Sequence, residues 1–111
     1  MTASKPETAA AKRKRLRLQR RGYRLKATYG IDNQDYEVLL KAQGGKCAIC
    51  GGRRPYYLHV DHDHSVRSKR RSVRGLLCKR CNNLLARVRD DVALLGKAAE
   101  YLASPPARGV L

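Results

Sequence analysis

Three short stretches decide how this chain can fold: 47-CAIC-50, 60-VDHDH-64 and 78-CKRC-81. In each cysteine stretch the two thiols are close enough for both sulfurs to reach one ion, and two such pairs supply the corners of a tetrahedral site. We therefore predict one structural Zn²⁺ with four thiolate ligands. These ligands are Cys47, Cys50, Cys78 and Cys81.

Disulfide bonds are the alternative use of four cysteines, and they are typical of secreted proteins. No apolar segment of a secretory signal follows Met1, and no apolar run is long enough to span a bilayer. We therefore expect a reducing, cytoplasmic setting with no membrane partner. In that setting cysteines bind metal rather than one another.

The charge of the chain indicates the class of partner. Twenty-five Lys and Arg against nine Asp and Glu give a formal charge of +16 over 111 residues. This is more than solubility requires, and it attracts polyanions, among which nucleic acid is the first candidate. Charge alone does not distinguish DNA from RNA, nor either from a ribosomal or membrane-surface role.

The two ends are expected to lie outside the folded domain. Residues 1–28 are predicted to be a disordered basic arm, because they offer few apolar side chains and residues 12–24 read KRKRLRLQRRGYR, with a helix-weakening Gly22. A solvated helix face is the alternative for this segment. Residues 105–111 are predicted to be a flexible tail, which leaves one domain over residues 29–104.

Apolar periodicity predicts three helices and two short strands within this domain. The helices are expected at residues 34–41, 82–89 and 92–102, the strands at residues 56–61 and 75–77, and a loop at residues 65–74. Asp32 or Asn33 caps the first helix, and Asp90 or Asp91 caps the last. The first helix is expected to pack on the metal-centred core, and the last to be core or a dimer face.

The residues between the cysteine pairs predict hydrolytic chemistry. A neutral imidazole such as His62 can take a proton from water, and Asp61 can hold a divalent cation together with the carbonyl oxygen of Asn82. An ion with two protein ligands keeps open positions for phosphate oxygens and water, as Mg²⁺ prefers. His64 binds phosphate, orients His62 or is merely solvated; these alternatives remain open.

Basic side chains near this site are expected to contact phosphates, which gives affinity and salt dependence without sequence preference. The residues are Arg67, Lys69, Arg70, Arg71, Arg74, Lys79 and Arg80.

Three stretches carry a resemblance to a known family: 29-YGIDNQDYEVLLKAQGGKC-47, 58-LHVDHDH-64 and 73-VRGLLCKRCNNLL-85. They resemble the phage recombination endonuclease VII family within the HNH nucleases. The resemblance implies an α+β fold, namely a small zinc-stabilised ββα-metal (HNH, His-Me finger) domain with flanking helices.

The same resemblance implies a function and its site. It implies zinc on the four cysteines, Mg²⁺ or Mn²⁺ on Asp61 and Asn82, and His62 as the general base. DNA is the implied substrate, branched or recombination-type DNA in some members, and some members act as dimers. In this chain a homodimer would use the C-terminal helix.

Two departures from the family pattern matter. The best-studied type has an acidic residue four places beyond the last cysteine, where this chain has Leu85, so a third metal ligand is missing or comes from elsewhere. The loop at residues 65–74 is also longer than the usual turn. A non-catalytic zinc-ribbon protein that binds nucleic acid is the alternative function, although such a protein has no need of Asp61, His62 and Asn82 together.

Overall fold

A two-stranded antiparallel sheet and three of the four cysteines lie in the buried core of the computed structural model, which describes residues 5–111. The elements in chain order are α1 (Ala9–Tyr29), α2 (Asn33–Ala42), β1 (His59–His62), α3 (Lys69–Ser72), β2 (Val73–Leu77), α4 (Lys79–Arg87) and α5 (Val92–Ala103). The fold class is therefore small mixed α/β. None of the helices in residues 5–111 is both long and apolar enough to cross a membrane.

Helix α1 occupies most of the predicted disordered arm, so that prediction is wrong for residues 9–28. Thr8 caps the helix, because its hydroxyl oxygen accepts a 3.0 Å hydrogen bond from the N–H of Ala11. Gly30 ends it in the left-handed conformation, at φ 67°. Residues 1–4 of the predicted arm lie outside the described residues, and the division of the chain at residues 28 and 104 stays a prediction.

The second half of α1 is held by tertiary contacts that charge density alone does not reveal. Arg21 and Leu25 are buried against the rest of the protein. Gly22 does not break the helix; it allows α2 to come close, and the amide Nδ2 of Asn33 donates a 2.7 Å hydrogen bond to the carbonyl of Leu18. These contacts outweigh the like-charge repulsion.

Helix α2 packs on the core as predicted. Asp32, rather than Asn33, is its N-cap and forms a capping box. Tyr36 is buried, and its hydroxyl donates a 2.7 Å hydrogen bond to the carbonyl of Leu58. Leu39 and Leu40 pack against the same buried cluster.

The strands are shifted from their predicted positions. Strand β1 begins at His59 and includes His62, and β2 begins at Val73. Asp61 pairs with Gly75 and His62 pairs with Val73, so Arg74 is the extra residue of a β-bulge. A bulge re-aims side chains beside it and has no simple sequence pattern, which explains why it was not predicted.

The predicted loop at residues 65–74 is also wrong in part, because it contains α3 and the start of β2. This short helix lacks apolar periodicity and is held by polar contacts instead. Lys69 donates a 2.7 Å hydrogen bond to the carbonyl of Ala27, and Arg70 forms a bidentate pair with Asp35 at 2.7 and 3.0 Å. Helix α3 is thereby tied to α1 and α2.

The outer edge of β2 is covered by the side chain of Gln43. Its Nε2 donates to the carbonyl of Leu76 at 2.9 Å, and its Oε1 accepts from the N–H of Leu76 at 2.9 Å. The N–H of Ala48, in the first cysteine turn, donates to the same carbonyl at 3.1 Å. The Gln43 side chain thus pairs with the edge backbone groups of Leu76 as a third strand would.

We expect Gln43→Ala to lower the free energy of unfolding by about 2–4 kcal/mol, because it leaves a backbone donor and a shared acceptor of Leu76 poorly paired. Gln34→Ala, at an exposed position of α2, the helix that Gln43 follows as C-cap, is the matched control and should change stability little. Chemical denaturation of both variants would measure the difference. Equal stabilities would contradict this role of Gln43.

The last two helices begin at or near their predicted starts. Helix α4 begins at Lys79, earlier than predicted, because Cys78 is its N-cap. Helix α5 is capped by Asp91, whose carboxylate accepts from the N–H of Leu94 at 3.0 Å. No residue of α5 is buried, so the alternative that it forms core is wrong within this chain, while the dimer face stays a prediction.

Candidate metal centre and active-site cavity

The structure brings the four cysteine sulfurs together. Their ligand atoms all lie within 4.8 Å of one another, and the Sγ atoms of Cys50 and Cys78 are 3.8 Å apart. Sulfurs at tetrahedral corners about 2.3 Å from one Zn²⁺ would lie about 3.8 Å apart. Among residues 5–111 this is the one cluster of three or more Cys, His, Asp or Glu side chains able to hold an ion. The donor set and the spacing suit one structural Zn²⁺.

The electrostatics of the thiols favour a bound cation. Burial raises the pKa of Cys47, but backbone N–H groups of Cys78, Cys50 and Ile49 outweigh this effect and bring the pKa to about 6. Burial, followed by the neighbouring thiols, raises the pKa of Cys81 to about 12. Four thiolates this close together repel one another, and a bound cation offsets that repulsion.

Groups around the cysteines supply further positive charge. The guanidinium Nη2 of Arg54 lies 3.7 Å from the sulfur of Cys50 and 3.9 Å from that of Cys78. The backbone N–H of Gly52 donates to Cys50 at 3.4 Å. Zn²⁺ with four thiolates carries a net charge of −2, which these donors offset. No sequence pattern distinguishes Arg54 from the other basic residues.

A second site lies where β1 meets α4. It is a cavity of about 410 Å³, and its lining includes Asp61, His64 and Asn82. Asp61 is buried at the end of β1, and Asn82 lies in the first turn of α4, directly after Cys81. Because the cysteine cluster includes Cys78 at the start of α4, it holds this helix beside the sheet. Two residues distant in sequence therefore line one cavity, which we call the catalytic cavity because three of the predicted catalytic residues line it.

His62 lies beside the catalytic cavity rather than among its lining residues. Its ring centroid is 4.3 Å from that of His64 and 5.5 Å from that of Tyr29. The side chain is partly buried between these two rings. Since His64 lines the cavity and its ring lies at 56° to that of His62, His62 is separated from the cavity by one ring.

Arg74, a predicted DNA contact, binds Asp61 within the protein. Its Nε and Nη2 donate to the two carboxylate oxygens at 2.7 and 2.9 Å, and Nη2 also donates to Asp90 at 3.2 Å. The hydrogen bonds to Asp61 raise the pKa of Arg74 further above its usual range. The cavity therefore contains a positive charge held by two carboxylates.

These residues fit a divalent cation in their donor chemistry. The carboxylate of Asp61 and the amide oxygen of Asn82 are hard ligands of the kind that Mg²⁺ and Mn²⁺ take. Both oxygens of Asp61 are already paired with Arg74, so an ion at Asp61 must displace at least part of the guanidinium. The carboxylates of Asp61 and Asp90 favour a positive charge between them, because the guanidinium of Arg74 already occupies that position.

The turn after α4 brings a second acidic side chain to the cavity. Arg89 and Asp90 adopt left-handed conformations at φ 52° and 56°, which costs about 1–3 kcal/mol for each non-glycine residue. Asp90 thereby faces Arg74, while Leu85 also lines the cavity. From the sequence, Asp90 was predicted only as a possible helix cap. Its position in the lining of this cavity was not predicted.

Of the other predicted DNA contacts, some have side chains that contact other parts of the protein and the rest are exposed to solvent. Lys69 and Arg70 are engaged with α1 and α2, as described above. Lys79 lies with its Nζ 5.0 Å from the ring centroid of Tyr56. Arg67, Arg71 and Arg80 are exposed and have no side-chain hydrogen bond or ion pair recorded within residues 5–111.

The cysteine cluster, the antiparallel pair of strands and the acidic cavity beside α4 define a small mixed α/β protein with a candidate zinc centre. A family model described as recombination endonuclease VII matches residues 22–104. The chain belongs to the recombination endonuclease VII family, and this confirms the family predicted from the sequence. The family takes its description from a recombination endonuclease.

Two curated relatives come from mycobacteriophages. The "Gene 59 protein" of Mycobacterium phage D29 is 45% identical over 92 residues, and the protein of the same name in Mycobacterium phage L5 is 43% identical over 91 residues. Each alignment covers 79% of this chain and 53% of the relative. The chain therefore spans about half the length of these relatives. No solved structure matches the chain at a significant level.

Proposed function

We propose that this chain is a metal-dependent DNA endonuclease of the HNH, or ββα-metal, type. The observation that carries the proposal is the catalytic cavity, which Asp61 and Asn82 both line beside the paired rings of His62 and His64. The order of two antiparallel strands followed by a helix supports the assignment to this type. A zinc-ribbon protein without catalysis would need only the cysteines.

The proposed chemistry is hydrolysis of a phosphodiester. Asp61 and Asn82 would hold Mg²⁺ or Mn²⁺, which when bound neutralises charge on the phosphate and on the leaving 3′ oxygen. A neutral ring nitrogen of His62 takes a proton from water as the water oxygen attacks phosphorus. The phosphorus–O3′ bond then breaks and the 3′ oxygen leaves. His64, whose ring packs at 4.3 Å against that of His62, orients the His62 ring.

The biological setting belongs to the same proposal. Relatives in phages suggest that the protein acts in the cytoplasm of an infected host cell, on branched or recombination-type DNA. Exposed Arg67, Arg71 and Arg80 would contact phosphates on the outer surface. A homodimer through the unburied helix α5 would place two catalytic cavities on one branched substrate.

Nicking of supercoiled plasmid tests the proposal. We expect the wild-type protein to nick the plasmid with Mg²⁺ or Mn²⁺, and His62→Ala to do so about 10²- to 10⁴-fold more slowly, because general-base catalysis contributes on that order. Plasmid binding by the two proteins, measured by gel shift, is the control and should be equal. If both proteins bind the plasmid and neither nicks it, the zinc-ribbon alternative is correct.

A further inference from the structure

Outside the catalytic cavity, the guanidinium of Arg21 is the feature that the proposed chemistry leaves unexplained. Arg21 is 7% exposed, and both Nη1 and Nη2 are buried without a hydrogen-bond partner. Its ion pair with Glu37 is long, at 3.8 Å, and the carboxylate side chain is 61% exposed. Burying a charged guanidinium with so little compensation costs free energy. Arg21 at this position therefore requires another source of negative charge or a bound ligand.

Two tyrosine rings hold this guanidinium in place. The Cζ of Arg21 lies 3.9 Å from the ring centroid of Tyr36 and 4.2 Å from that of Tyr57. Tyr36 is buried, whereas Tyr57 is 56% exposed. Cation–π contact with Arg21 therefore fixes Tyr57 from one side and leaves much of its ring free.

The free part of Tyr57 faces a cavity of about 380 Å³, which we call the tyrosine cavity. Arg21, Arg24, Thr28, Tyr29 and His59 also line it. None of its described lining residues is acidic. Cationic side chains and exposed aromatic rings together are the chemistry that binds a nucleotide, through its phosphate and its base respectively.

The tyrosine cavity adjoins the proposed catalytic residues. Tyr29 lines it and also packs its ring 5.5 Å from that of His62. Val60, which lines it from β1, directly precedes Asp61. Residues of β1 therefore line both cavities, and the ring of Tyr29 contacts the tyrosine cavity as well as His62.

We propose that the tyrosine cavity binds one unpaired nucleotide of the DNA substrate. Its base stacks on Tyr57, and its phosphate pairs with Arg24 in the positive field of Arg21. This rests on the proposed nuclease function and adds a reason for substrate preference: a base already outside the duplex enters at a lower cost than a paired one. DNA with an unpaired nucleotide near the scissile bond is the preferred class.

Binding to DNA with one extrahelical 2-aminopurine tests this proposal, with the fully paired duplex of the same sequence for comparison. Without Mg²⁺, we expect the wild type to bind the bulged DNA about fivefold or more tightly than the paired duplex, and to quench its fluorescence, because stacking of one base contributes on that scale. Tyr57→Ala and Arg24→Gln should each reduce the preference to less than about twofold. Both are exposed side chains, so folding should be preserved, unlike in Arg21→Ala.

Matched controls lie on the same helix. Tyr23→Ala and Arg20→Gln remove the same chemical groups from exposed positions of α1 that do not line the cavity, and the preference should remain. The proposal is overturned if the wild type does not distinguish the two DNAs, or if the controls lose as much preference as Tyr57→Ala and Arg24→Gln. Because binding is measured without cleavage, this outcome is separate from the nicking result for His62→Ala.

Discussion

Removal of zinc is expected to unfold the protein rather than only to inactivate it. Cys47, Cys78 and Cys81 are three of the ten buried hydrophobic residues of the core, and β2 leads directly into the second cysteine pair. Zinc contributes an apparent ~10–16 kcal/mol in small finger peptides, whereas a whole domain is stable by only about 5–15 kcal/mol. Little of the core would remain folded without the ion.

The measurement is thermal unfolding together with amide NMR dispersion, after a zinc-selective chelator is added in excess Mg²⁺. We expect the cooperative transition and the dispersed amide signals to disappear, and to return when Zn²⁺ is restored. The excess Mg²⁺ separates loss of zinc from loss of the hydrolytic ion. Unchanged dispersion after metal analysis has confirmed zinc removal would refute a structural role for the cysteine cluster.

Asp61→Asn is expected to have the largest effect on nicking without loss of the fold. The amide no longer supplies an anionic oxygen ligand, and the charge stabilisation attributed to a bound metal ion corresponds to about 10³-fold or more in rate. Arg74 keeps Asp90 as a partner, at 3.2 Å, so the cavity need not collapse. Plasmid nicking and the thermal transition would be measured side by side.

Arg74→Gln provides the contrasting control. Removing the guanidinium frees both oxygens of Asp61, and a half-exposed ion pair is worth up to about 1 kcal/mol, so Mn²⁺ should bind roughly 2- to 5-fold more tightly. Mn²⁺ affinity can be followed by electron paramagnetic resonance with zinc in place. Nicking by Asp61→Asn within tenfold of the wild type, or unchanged Mn²⁺ affinity in both variants, would contradict a cation at Asp61.

The cysteine spacing and the apolar periodicity predicted much of this architecture. Four thiols at two short spacings allow few arrangements other than one cluster, and α2 was located by its cap and its apolar stripe. The family was predicted from the residues around Asp61 and Asn82. In each case the information lies in a local pattern that physical chemistry restricts strongly.

The parts that were missed depend on contacts between distant segments. Helix α1 looked too highly charged to be stable, because its burial of Arg21 and the close approach of Asn33 at Gly22 are tertiary effects. The pairing of Arg74 with Asp61 follows from a bulge, which the sequence does not mark. In the sequence, Arg21 and Arg74 resemble ordinary surface arginines, because only the structure shows their partners.

The bulge at Arg74 also has a consequence for aligning and engineering such chains. Side chains of a strand alternate between faces, so one residue inserted or deleted between Gly75 and Cys78 would turn the cysteine ligand to the wrong side relative to the paired part of β2. The exposed segment before α3 carries no such constraint and should accept changes in length. Gaps in an alignment therefore belong before α3, and a single-residue gap within β2 would signal a different active site.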